Sequence, residues 1–130
     1  MSEKQVLVPD ERHPITVTPT DGRVVVTVGE RTVADTTAAL TLQEASYPAV
    51  QYVPLADVDP QVLERTDHAT YCPYKGDASY YSLVVDGDTR ANAVWTYEAP
   101  YDAVAEIAGH VAFYPDAADV RTYPSASPSV

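Results

Sequence analysis

Ala78-Ser79-Tyr80-Tyr81-Ser82-Leu83-Val84-Val85-Asp86-Gly87-Asp88-Thr89-Arg90-Ala91-Asn92-Ala93-Val94-Trp95-Thr96-Tyr97-Glu98 is the stretch that decides the fold. Its two halves are rich in β-branched and aromatic residues, which suit a pleated, half-buried surface. Asp86-Gly87 between them is a strong signal for a two-residue hairpin turn. The stretch is predicted to be an antiparallel hairpin, residues 78–85 pairing with 90–98. In the second strand Ala91, Ala93, Trp95 and Tyr97 share one face by the period-two rule, and that face is expected to line the core or a pocket wall.

On the N-terminal side the hairpin joins Thr66-Asp67-His68-Ala69-Thr70-Tyr71-Cys72-Pro73-Tyr74-Lys75-Gly76-Asp77, which holds the only cysteine, one of three histidines and one of two lysines. Pro73 and Gly76 argue against a regular helix, so this run is predicted as a loop crossing the sheet surface. Where it is extended, His68, Thr70 and Cys72 project to one side and Tyr71 to the other. Upstream, Asp59-Pro60 is a helix-start signal, predicting a helical turn or two over residues 60–65 with Val62 and Leu63 buried.

Further towards the N-terminus, Arg23-Val24-Val25-Val26-Thr27-Val28, Gly29-Glu30 and Arg31-Thr32-Val33-Ala34-Asp35 read as another hairpin, with a type II′ turn that begins on glycine. Residues 37–42 and 49–53 read as two short strands. On the C-terminal side, residues 100–107 have helical spacing, Gly109 suits a left-handed stop, and residues 110–114 read as a last strand. His110, Ala112 and Tyr114 share one of its faces, Val111 and Phe113 the other. After Pro115 the hydrophobic pattern is lost. The organisation expected is a flexible arm over residues 1–12, one domain over 13–122, and a disordered Pro/Ser tail over 123–130. About seven short strands with two brief helical turns make a mainly β domain built of antiparallel hairpins.

At 130 residues the chain has the length of one domain able to bury a core without staples. A formal charge of −11 disfavours nucleic acid, whose binding relies on Lys and Arg. No apolar run is long enough for a membrane span, and Met1-Ser2-Glu3-Lys4-Gln5 lacks the pattern of a signal peptide, so a cytoplasmic address is expected. A single cysteine can form neither an internal disulfide nor a multi-cysteine zinc cage. A homodimer is compatible with a small open β domain, which has sheet edges to protect.

Taken with Ala93-Val94-Trp95-Thr96-Tyr97 and Gly109-His110-Val111-Ala112-Phe113-Tyr114, the run Asp67-His68-x-x-Tyr71-Cys72-Pro73-Tyr74-Lys75-Gly76 closely resembles the DUF427 family of small bacterial and fungal domains, from about His13 to Val120. The resemblance brings no assigned activity with it. It implies a compact, β-tent or barrel-like fold related in shape to methionine sulfoxide reductase B. Relatives of that shape often hold zinc through paired Cys-x-x-Cys motifs. Those are absent here, so the shape is expected to carry over and the metal is not, and no cofactor is expected.

Several residues carry chemistry. Cys72 is either a small buried hydrophobe or a nucleophile activated by nearby positive charge, with His68, His110 and Lys75 the groups to supply acid/base chemistry or charge. Lys75-Gly76 reads equally as a turn with a solvated lysine and as a close approach to an anion. Tyr71, Tyr74 and Trp95 belong to an aromatic population suited to a pocket with one dry and one wet side, and Asp67 and Asp77 flank the motif. A metal held by His13, His68, His110 and Cys72 would match no compact motif. Asp57/Asp59 and Asp86/Asp88 are carboxylate pairs at a helix start and a turn, without the Gly-Ser signature of nucleotidyl transfer. The sequence therefore points to a small-molecule pocket for a polar or anionic ligand around residues 67–77, in which Cys72, His68 and His110 are the candidate catalytic residues. Asp67, Tyr71, Tyr74, Lys75, Asp77 and Trp95 are the candidate binding residues. The alternatives are a non-catalytic ligand-binding domain and a structural or partner-docking domain.

Overall fold

The computed structural model describes residues 5–124. They form ten strands: β1 (Ile15–Pro19), β2 (Arg23–Val28), β3 (Arg31–Thr36), β4 (Leu40–Glu44), β5 (Val50–Pro54), β6 (Leu63–Cys72), β7 (Gly76–Val85), β8 (Asp88–Thr96), β9 (His110–Phe113) and β10 (Asp119–Tyr123). Seven make one sheet in the order β1-β4-β5-β9-β8-β7-β6, three make another in the order β10-β2-β3, and every pairing is antiparallel. The larger sheet ends on β1 and β6, so it does not close into a barrel.

Both predicted hairpins are present. Val28 pairs with Arg31 across Gly29-Glu30, with Gly29 at φ 59 as a type II′ turn requires. Val85 pairs with Asp88 across Asp86 (φ 51) and Gly87 (φ 80), the left-handed pair of a type I′ turn. Along β2 the side chains alternate, with Val24, Val26 and Val28 buried and their neighbours outward. Each such burial contributes about 1.5–3 kcal/mol.

The larger sheet is covered on two faces. Val24, Val26 and Val33 of the small sheet pack with Val53, Leu83, Val94, Val111 and Phe113 in one core. On the opposite face Leu42, Tyr52, Ala78, Tyr80, Tyr97 and Ala112 form a second core, closed by Val104 and Ile107 from the 3-10 segment Asp102–Ile107. Strand β9 serves both, with Val111 and Phe113 on one side and Ala112 on the other.

Three expectations are corrected. The helix expected over 60–65 is a single 3-10 turn, Pro60–Val62. Asp59 does cap it, accepting from Gln61 N at 3.0 Å, but Leu63 is already extended and pairs with Leu83, so strand pairing ends the turn. The motif is not a loop over the sheet. It is the end of β6, the turn Pro73-Tyr74-Lys75 and the start of β7, with Cys72 directly opposite Gly76. Pro73 and Gly76 (φ 110) punctuate only that turn, where Lys75 N bonds to Cys72 O at 3.2 Å. Finally, β10 follows Pro115 and pairs with β2. As an edge strand it buries only part of Val120, so it leaves no alternating pattern to read.

Of the expected arm, Leu7 and Gln5 touch the motif: Leu7 N bonds to Pro73 O at 2.9 Å, and Gln5 O accepts from the Tyr71 hydroxyl. Residues 1–4, and 125–130 of the expected tail, lie outside the described residues.

Candidate functional site

The second core does not fill the space on its face of the sheet. A cavity of about 280 Å³ remains, walled by Leu42 and Glu44 of β4, Val50 and Tyr52 of β5, Tyr80 of β7 and Trp95 of β8. Tyr97, Tyr114, Lys75 and the Tyr47-Pro48 turn complete it. The volume lies at the small end of the range of ligand sites. Period-two alternation puts these side chains inside: Tyr80 and Trp95 are cross-strand partners, and Tyr97 follows Trp95 by two.

The aromatic wall is held by its own hydrogen bonds. Trp95 Nε1 donates to the Tyr52 hydroxyl at 3.1 Å, and the two rings meet edge to face at 6.4 Å. Trp95 also lies 4.6 Å from Tyr114, centroid to centroid. The Tyr80 hydroxyl bonds to Thr70 Oγ1 at 2.9 Å. Tyr97 is different. It is only 8% exposed, and its hydroxyl has no hydrogen-bond partner among the described residues. No fully enclosed side-chain polar atom among them lacks a partner, so that hydroxyl retains access to the cavity. Burial pushes the Tyr52 phenol up to about 12, and burial together with a Tyr80 hydrogen bond does the same to Tyr114. Burial also raises Tyr97, with the nearby Tyr52, Cys72 and Tyr80 adding to it. All three phenols therefore keep their protons at neutral pH.

One corner of the cavity is charged. Lys75 Nζ sits 2.5 Å from Glu44 Oε1, and Glu44 Oε2 is 2.7 Å from His13 Nε2. Burial favours the protonated form of Glu44, but hydrogen bonds from Lys75 and His13 outweigh it and hold the carboxyl below its ordinary value. His13 is stacked on Tyr74 at 4.2 Å with the planes 4° apart. Lys75 Nζ also lies 3.9 Å from Cys72 Sγ, and Cys72 is half-buried against the second core.

Of the residues expected at a site, Lys75 and Trp95 line the cavity, and Cys72 reaches it through Lys75. The histidines do not gather there. His68 is exposed against the Tyr80 ring (4.5 Å) and four residues along β6 from Cys72, about 13 Å of extended chain. His110 is three strands from Cys72 in the sheet order, about 14 Å, and its Nδ1 contacts Ala108 O at 3.0 Å. Tyr71 faces away, its hydroxyl 2.7 Å from that of Tyr101. Tyr74 stacks on His13 outside the cavity, and Asp67 and Asp77 are exposed on the hairpin. Asp57 accepts from Thr36 and Asp59 from Arg31 and the Gln61 amide, while Asp88 pairs with Arg90. Among the described residues no group of His, Cys, Asp and Glu is arranged to hold a metal.

Sequence reasoning missed Glu44, Tyr52 and His13 as members of one site. A signal for Glu44 was present: it follows Leu40 and Leu42 in the same alternation, which sets a carboxylate on the buried face of a strand. The strand expected over 37–42 stops two residues short of it.

A family model described as a domain of unknown function (DUF427) matches residues 16–123. No curated protein matches the chain.

Proposed function

The chain belongs to the DUF427 family, a family of unknown function, and from its cavity we propose that the domain binds a small polar molecule built on a planar ring. The observation that carries this is Tyr97, a residue only 8% exposed that lines a cavity walled by aromatic rings and whose hydroxyl has no partner among the described residues. A hydroxyl that keeps accessible surface and takes no partner from the protein is free to bond a ligand atom. Trp95 and Tyr114 offer ring faces, and the corner of Glu44 and Lys75 offers orientation. The single tryptophan makes a direct test available. A library of one- and two-ring fragments titrated against the protein should move the Trp95 indole N–H resonance, and filling the cavity with Val50→Phe should abolish the effect. A library that leaves this resonance unmoved at millimolar concentration would refute the proposal.

A second reading is favoured by one distance. Lys75 Nζ lies 3.9 Å from Cys72 Sγ, closer to the thiol than either histidine is carried, which supports Cys72-dependent chemistry partnered by Lys75 rather than by His68 or His110. Alkylation followed by intact mass tests it: rapid modification below pH ~8.5, the reference for a free thiol, supports this reading, and resistance until denaturant is added sinks it. Failure of both tests leaves a partner-docking domain.

A further inference from the structure

Resting on the reading of the cavity as a ligand site, we infer the class of ligand: a planar, uncharged molecule that enters with a carbonyl oxygen foremost. The argument is a balance of donors and acceptors. Tyr97 has a hydroxyl with no partner among the described residues. The Tyr52 oxygen already accepts from Trp95 Nε1, so its own proton is available to donate. Lys75 carries three N–H groups, of which Glu44 Oε1 takes one and the distant Cys72 Sγ, at 3.9 Å, at most another. The one carboxylate that lines the cavity is already engaged at both oxygens. Glu44 Oε1 faces Lys75 and Glu44 Oε2 faces His13.

The phenols are donors at neutral pH, as any tyrosine is, and burial moves Tyr52 and Tyr97 further from ionising. A phenol is a better donor than acceptor, since its ring draws on the oxygen lone pair. Donors from Tyr97, Tyr52 and Lys75 around one small space call for an acceptor oxygen, and a carbonyl, with two lone pairs, can take two of them at once. Charge decides the rest. The Lys75 ammonium is neutralised by Glu44, and the chain as a whole carries a formal −11. A carboxylate would lose its hydration without gaining an unpaired cation. A neutral carbonyl avoids that penalty and leaves its ring to Trp95 and Tyr114.

The test uses three flat probes of nearly one shape: acetophenone, an acceptor without charge; benzoate, an acceptor with charge; and benzamidine, a cationic donor. Each is titrated into the full chain and followed by the Trp95 indole N–H resonance. Acetophenone is expected to bind about fivefold or more tighter than either of the others, and Tyr97→Phe to weaken it by about two- to tenfold, the worth of one neutral hydrogen bond. Benzamidine binding tightest overturns this inference while leaving a binding cavity in place, and benzoate binding tightest overturns the uncharged class alone. Equal acetophenone affinity for wild type and Tyr97→Phe removes the donor argument. No response to any probe overturns the inference together with the cavity reading beneath it.

Discussion

Glu44→Gln is the perturbation whose consequences follow most directly from the charged corner of the cavity. The Glu44 and Lys75 side chains are 19% and 10% exposed, and His13 is 26% exposed, so the carboxylate joins two groups largely withdrawn from water. An exposed pair would be worth at most about 1 kcal/mol. Breaking a buried one leaves an uncompensated ammonium and costs about 3–5 kcal/mol. The residual exposure of both partners brings the expected loss to about 2–4 kcal/mol at pH 7. That is a large share of the ~5–15 kcal/mol a domain of this kind possesses, and corresponds to a fall in Tm of about 4 °C per kcal/mol. The pH dependence has a definite sign. Folding holds the Glu44 carboxyl below its ordinary 4.5, so its contribution is fully present above that value and is lost as pH falls through the lower folded one. The gap between wild type and Glu44→Gln should therefore be widest near neutrality and shrink by pH 3. Urea unfolding followed by Trp95 fluorescence at both pH values measures it. Adding Lys75→Met to Glu44→Gln should recover part of the loss, because the stranded charge is removed. A gap below about 0.5 kcal/mol at pH 7, where even exposed pairs reach as much, or one of equal size at both pH values, would refute the account of this corner.

Other expectations bear on the hairpins that frame the site. Gly76→Ala should destabilise by about 1–3 kcal/mol, the cost of a non-glycine residue in a sparsely populated conformation, because φ there is 110; the nearest atom to an added Cβ, Ala99 O at 3.5 Å, is ordinary contact, so the cost is conformational rather than steric. Thermal unfolding checks it, and an unchanged Tm would count against the turn geometry. Ser82→Ala should cost about 1–2 kcal/mol, since the Ser82 hydroxyl accepts from Asn92 N at 3.1 Å where the β7–β8 ladder is interrupted. Hydrogen exchange at the Asn92 amide should accelerate in that variant, and unaltered protection would show that another group serves it.

The two hairpin turns were legible without any structure, and so was the mainly β class. Gly29-Glu30 and Asp86-Gly87 are local: the chain needs left-handed φ at Gly29, Asp86 and Gly87, and few residue types accept it. The alternation of Val24, Val26 and Val28, and the opposed faces of β9, were legible because period two is a property of the single strand. The edge strand β10 was not, since it depends on β2 offering a free edge rather than on its own pattern. Likewise Asp59-Pro60 announced a helix start, and only the pairing of Leu63 with Leu83 decided that the helix would stop after one turn.

The same division runs through the site. From sequence alone came the motif around Cys72 and Lys75 and the family to which the chain belongs, because short runs of unusual residues need no partner to be recognised. Tertiary structure decided which of them meet. Glu44 comes to Lys75 from 31 residues away, and Tyr52 comes to Trp95 across β9. Meanwhile His68, only four residues from Cys72, is carried out of reach by the extended chain between them. Nearness along a strand means about 3.3 Å for every residue, so sequence neighbours separate while distant strands of one sheet converge on a single cavity.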